Sequence, residues 1–171
     1  MNERVHRLTY TAVLAALALA LSFIEGLLPP LPIPGARLGL ANLVVMFALS
    51  SLPLSSAVGI TAVKALFALL RGPVACLMSA AGGTVALLTM VLTKRWLHRR
   101  FSFLGLGILG AAGHNVGQAL MSVVLLGHAM WYYLPILLIM AIPAGAVTGL
   151  VLNVTYPHLR QFSKRANTGK V

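Results

Sequence analysis

Residues 74–100 read VACLMSAAGGTVALLTMVLTKRWLHRR: a run without a charge from 74 to 93, then Lys94, Arg95, Arg99 and Arg100 in quick succession. A membrane helix needs about 20 apolar residues to cross the hydrocarbon, within a range of about 17–25. The run has that length, and a basic cluster directly behind it is how membrane proteins mark their cytoplasmic side. Working outward, the same pattern recurs five times. The other apolar runs are 8–28, broken only by Glu25; 38–52, stopped by Pro53; 54–70, which contains Lys64; 103–127; and 134–156. Between the first two lies the Pro-rich connector 29–35, which cannot be helix interior. Arg71-Gly72-Pro73 reads as a tight turn, and Trp131-Tyr132-Tyr133 as an interfacial aromatic group. Runs two and three are short, which sets that hairpin off-centre in the bilayer. The pattern predicts an all-α membrane protein, a compact bundle of six transmembrane helices over residues 1–157 with a basic cytoplasmic tail at 158–171.

Composition agrees. Of 171 residues, 59% are hydrophobic and 9% charged, and the mean hydropathy is +0.93, whereas a soluble domain averages roughly 45–50% apolar and about 25% charged. That balance excludes an ordinary soluble enzyme and a disordered chain. Thirteen Lys and Arg face two acids, Glu3 and Glu25, with no Asp, for a net charge of +11. In a polar protein this would suggest nucleic-acid binding; here the cations sit between apolar runs, so no nucleic-acid partner is expected. The one cysteine, Cys76, excludes an intrachain disulfide.

Six spans put both termini on one side. Arg4, Arg7, Lys94, Arg95, Arg99, Arg100, Arg160, Lys164, Arg165 and Lys170 share that side, against Arg37 and Arg71 on the other and Lys64 within a span. The positive-inside rule then makes both termini cytoplasmic, in a bacterial-type cytoplasmic membrane, with the ten cations available to anionic lipids. A signal-peptide reading of the first run competes, since Arg4, Arg7 and Ala18-Leu19-Ala20 fit one. Cleavage would leave five spans and invert the loops against their charge.

Small residues mark helix contacts. Ala12, Ala16 and Ala20 recur at four-residue spacing in span one, Gly113 and Gly117 in span five, and Ala141, Gly145 and Gly149 in span six. Such spacing lets helix backbones approach closely in lipid. Internal packing suits spans five and six. The alanines of span one surround more of the helix than one internal contact requires, so one face is free to dock a separate membrane subunit.

Ionisable groups in hydrocarbon cost about 2.5–3.5 kcal/mol each on insertion scales and need a partner or a wet cavity. The candidates are Glu25, Arg37, Asn42, Lys64, Arg71, His114, Asn115 and Gln118, which all fall in the outer half of the spans or near the midplane. His114 and Gln118 are an i,i+4 pair on one helix face. One reading is structural: Glu25 pairs with Arg37 or Lys64, and the amides cross-link helices. The other is a cavity open to the outer face that binds an anionic or polar small molecule, favoured by three cations against one acid. The segment 29–35 would then serve as a semi-rigid lid. His6, His98 and His158 read as solvated residues beside basic clusters, and His128 as interfacial. No Cys/His spacing suggests a metal, and nothing calls for a cofactor. Walker A, Gly-x-Ser-x-Gly and His-Glu-x-x-His motifs are all missing, and a chain without Asp has no acidic cluster for Mg²⁺ and a diphosphate. An enzyme is not expected.

Residues 33–42, IPGARLGLAN, together with 113–118, GHNVGQ, resemble the Gx transporter family, often labelled heptaprenyl diphosphate synthase component I. That family is similar to the S-components of energy-coupling-factor (ECF) transporters, small six-helix vitamin-binding proteins. The resemblance implies a ligand site at the outer helix ends, covered by the loop after the first helix. It further implies that an Ala-rich face of span one, here Ala12, Ala16 and Ala20, docks a T-component linked to two cytoplasmic ATPases. Two functions follow: capture of a small anionic or amphiphilic nutrient for transport, or a non-catalytic accessory role in isoprenoid or quinone metabolism, holding a prenyl-diphosphate-like group with Arg37, Lys64 and Arg71. Fold analogy does not supply the ligand.

Overall fold

The computed structural model describes residues 3–27, 39–96 and 102–167. They form six α-helices and no strand: α1 (Glu3–Leu27), α2 (Asn42–Ser51), α3 (Leu54–Phe67), α4 (Pro73–Trp96), α5 (Phe103–Leu126) and α6 (Leu134–Asn167). Two 3₁₀ segments, Ala68–Arg71 and His128–Tyr133, follow α3 and precede α6. Among the described residues, five helical segments are long and apolar enough to cross a membrane, the second of them α3 continued by its 3₁₀ turn. The sides of the bundle are greasy, as lipid contact requires: Leu70 is 80% exposed and Val124 77%. This is a multi-pass membrane protein.

The second helix departs from the expected span. Run 38–52 is apolar throughout, but α2 holds ten residues and is about 15 Å long, half the roughly 30 Å of hydrocarbon. It runs from the Asn42 end toward the Lys94 end, buried at the centre of the bundle. It packs against each of the other five helices, and Val44, Val45, Met46, Phe47 and Ala48 in succession are buried. A helix that is apolar all round belongs inside. Its C-terminal carbonyls are satisfied from neighbours: Lys94 Nζ donates to Leu49 O at 2.7 Å, and the Tyr156 hydroxyl to Ser50 O at 3.3 Å. Phe47 also lies between the rings of Tyr10 and Tyr156, at centroid distances of 6.5 and 6.0 Å.

Glycines set the closest helix contacts. A Cβ on Gly117 would lie 2.5 Å from Ala81 O of α4, and one on Gly113 2.5 Å from Thr89 Oγ1. A Cβ on Gly149 of α6 would lie 2.5 Å from Leu104 Cα of α5, and Gly107 and Gly145 face each other across the same seam. The internal-packing reading of spans five and six therefore holds, with α5 presenting one glycine face to α4 and another to α6. Both pairs run antiparallel.

Turns fall at the expected breaks. Gly72, at φ +122°, ends the 3₁₀ segment before Pro73 opens α4, the first-turn position where a missing N–H costs nothing. Trp131 and Tyr132 are exposed at the same end of the bundle. The basic segment after Tyr156 differs from a simple tail: α6 continues through Pro157 to Asn167. A single proline removes one backbone hydrogen bond and can kink a helix without ending it.

The bundle thus has two ends. Arg4 and Arg7 begin α1 at one, where Lys94 and Arg95 finish α4. At the other, α1 and α3 finish while α2 and α4 begin.

Candidate functional site

The polar residues gather at the end away from Arg4 and Lys94. Glu25 lies in the last turn of α1, on a buried stripe with Leu14, Ala18 and Ser22. Its carboxylate accepts the Gly39 N–H at 2.5 Å. Gly39 stands at φ +77°, a left-handed conformation that costs an L-residue about 1–2 kcal/mol. From that turn Gly39 O accepts the Asn42 N–H at 2.8 Å and α2 begins. A Cβ on Gly39 would also lie 2.9 Å from Asn42 Nδ2.

Asn42 faces α3, where Lys64 Nζ donates to its Oδ1 at 2.6 Å. An ammonium only donates, so the contact fixes the amide: oxygen toward Lys64, Nδ2 turned away. Lys64 is buried in the last turn of α3. Buried charges persist only when paired or hydrogen-bonded, and Asn42 is one such partner.

The wall opposite comes from α5 and α4. His114 and Gln118, one turn apart, are both buried and lie over Gly82 of α4. A Cβ there would sit 2.7 Å from His114 Cε1 and Nδ1 and 2.9 Å from Gln118 Cγ. The imidazole reaches back toward Gly39, its Cδ2 3.9 Å from that residue's Cβ position. Two buried polar atoms in the cluster, Asn42 Nδ2 and Gln118 Oε1, have no hydrogen-bond partner.

Of the eight residues expected from sequence, Glu25, Asn42, Lys64, His114 and Gln118 therefore converge. Asn115 does not: its Nδ2 donates to Leu137 O at 2.6 Å and ties α5 to α6. Arg71 is exposed at the same end, its guanidinium 3.7 Å from the Cβ position of Gly26 on α1. Arg37 and the lid segment 29–35 lie outside the described residues. Two contributors escaped sequence reading. The Gly39 N–H is a backbone group and leaves no side-chain signature. Gly82 was legible in principle, as half of a Gly-Gly pair inside an apolar run.

Ala12, Ala16 and Ala20 form an exposed stripe on the opposite side of α1 from Leu14, Ala18 and Ser22. Two residues along a helix is about 200° of rotation, which separates the two faces. Among the described residues no three His, Cys, Asp or Glu side chains come together.

The family model for heptaprenyl diphosphate synthase component I matches residues 14–155. The chain belongs to that family. The match reaches all six helices and includes every converging residue. The chain's fold is similar to a solved structure titled as the S component of a bacterial ECF transporter, with a TM-score of 0.62 and 21% identity over 99% of this chain and 100% of that one. At that identity the likeness shows the fold. No curated protein matches the chain.

Proposed function

We propose that the chain is the substrate-binding, S-component-like subunit of an ECF-type transporter. It would capture a small anionic or amphiphilic nutrient from outside the cell. The observation that carries this reading is the buried convergence of Glu25, Asn42, Lys64, His114 and Gln118 at one end of an apolar bundle. A structural cross-link would leave no buried amide atoms unpaired, yet two of these are. The likeness to an S component supports it independently. Binding sets the chemistry: the groups can hold and orient a ligand, and no acid–base or nucleophile pair among them points to catalysis. Arg71 stands at the rim as the described cation open to an acidic group, and Arg37 joins it in the proposal.

The exposed Ala12, Ala16 and Ala20 face is proposed to dock a membrane T-component coupled to two cytoplasmic ATPases. The end with Arg4 and Lys94 would face the cytoplasm and contact anionic lipids, placing both termini inside. The family's synthase description favours a second reading, a non-catalytic accessory subunit that holds a prenyl-diphosphate-like group. Prenyl elongation needs acidic Mg²⁺–diphosphate ligands, and this chain has no Asp.

Native mass spectrometry of the purified protein tests both. A bound small molecule with a co-purifying ATPase module supports transport. A soluble prenyl synthase in the absence of an ATPase supports the accessory role. Lys64→Ala and Arg37→Ala should each abolish the bound mass at normal expression; if it survives both, the binding-site reading fails.

A further inference from the structure

Asn42 Nδ2 and Gln118 Oε1, both unpaired in the site, are of opposite kinds. Asn42 Nδ2 is a donor, its identity fixed because Oδ1 faces the Lys64 ammonium. Gln118 Oε1 is an acceptor. Their residues are 6% and 3% exposed. They flank one ring: Asn42 lies beside Gly39, toward which His114 turns Cδ2, and Gln118 lies beside Gly82, under Cε1 and Nδ1. A buried polar atom is costly to leave unmade, so a matched pair of them marks what is missing.

Building on the reading that this cluster is a ligand site, we propose that its deep wall recognises an uncharged amide-type edge. The ligand class is a carboxamide, lactam, imide or urea whose carbonyl oxygen accepts from Asn42 Nδ2 and whose N–H donates to Gln118 Oε1. A carboxylate or phosphate satisfies the donor but presents nothing to Gln118. The buried charges support this polarity. Glu25 is engaged by the Gly39 N–H and Lys64 by Asn42, so one anion and one cation balance at this depth, and Arg71, exposed at the rim, is left for any acidic group the ligand carries elsewhere. A ligand could thus be anionic at the mouth and neutral at its inner edge.

The test uses benzamide, acetophenone and benzoate, which share a ring and differ in the edge they present. Thermal unfolding of the detergent-purified protein is followed with each probe in excess. A ligand that binds the folded state alone raises the midpoint, and benzamide should raise it by about 2 °C or more, acetophenone and benzoate by clearly less. Two variants check the contacts. Asn42→Asp keeps an oxygen for Lys64 but loses the donor, and Gln118→Met removes an acceptor that had no partner, so both should fold. Each should lose the benzamide shift. Absence of a benzamide shift, an equal or larger shift with benzoate or acetophenone, or persistence of the benzamide shift in both variants would overturn the assignment. Native mass spectrometry of the same wild-type preparation separates the two levels. A bound small molecule alongside any of those results sinks the amide edge and leaves the binding site standing, whereas no bound molecule and no shift sinks both.

Discussion

Gly39 and Gly82 control the site without contributing a side chain. Gly39 holds the left-handed turn that delivers its N–H to Glu25 and starts α2 at Asn42. Gly39→Ala should cost about 1–2 kcal/mol from the backbone alone, and the new methyl would push Asn42 from Lys64. Gly82→Ala strikes the other wall, since its methyl would sit 2.7 Å from the His114 ring. Overpacking of this kind costs about 1–3 kcal/mol, so the thermal midpoint should fall and the bound small molecule should disappear from native mass spectra. Wild-type occupancy in Gly82→Ala would show that His114 and Gln118 do not shape the site.

Among elements, the glycine seams and the buried short helix make separate predictions. Gly117 faces Ala81 O of α4 at a distance no Cβ tolerates, whereas Gly59 of α3 has nothing near its Cβ position. Gly117→Ala should therefore destabilise the bundle, while Gly59→Ala should stabilise it by about 0.5–1 kcal/mol through helix propensity. Thermal unfolding in one detergent compares the pair directly, and the same sign for both would contradict the packing. Helix α2 depends on Lys94 for its last turn. Lys94→Met removes that donor from a solvent-exposed contact and should cost about 0.5–1.5 kcal/mol, the net worth of one hydrogen bond.

For the whole molecule, the predictions concern which face meets what. The Ala12, Ala16 and Ala20 stripe is exposed, so Ala16→Leu should change the isolated protein's stability by no more than about 0.5 kcal/mol. It should nonetheless abolish co-purification of an ATPase module, because a leucine holds an incoming helix away. Retained co-purification would move the docking face elsewhere. Orientation can be read with a membrane-impermeant maleimide. In a Cys76→Ser background, a cysteine at position 2 or 170 should resist labelling in intact cells, and one at Tyr132 should react.

Several features were legible along the chain because they follow from local chemistry. Apolar length against bilayer thickness gave the helices, the turn at Gly72 followed from its neighbours, and scarce acids argued against catalysis. The i,i+4 spacing of His114 and Gln118 already put them on one face. Depth along each span was enough to group the polar residues at one end, because in lipid every charge must be answered.

What a linear reading lacked was rotation and contact. Asn115 stood beside His114 in the same motif, yet a step of about 100° around the helix turns it to Leu137 O. Run 38–52 met the composition of a span, but apolarity alone does not distinguish lipid from protein as the surrounding medium. Packing on all sides made α2 a core helix, and only its position allowed Asn42 to meet Lys64. The sequence determined the solvent, the number of helices and the residues that needed partners, since each depends on local composition. Tertiary structure decided which partners they found, because hydrogen bonds depend on distance and direction between helices that the chain order leaves open.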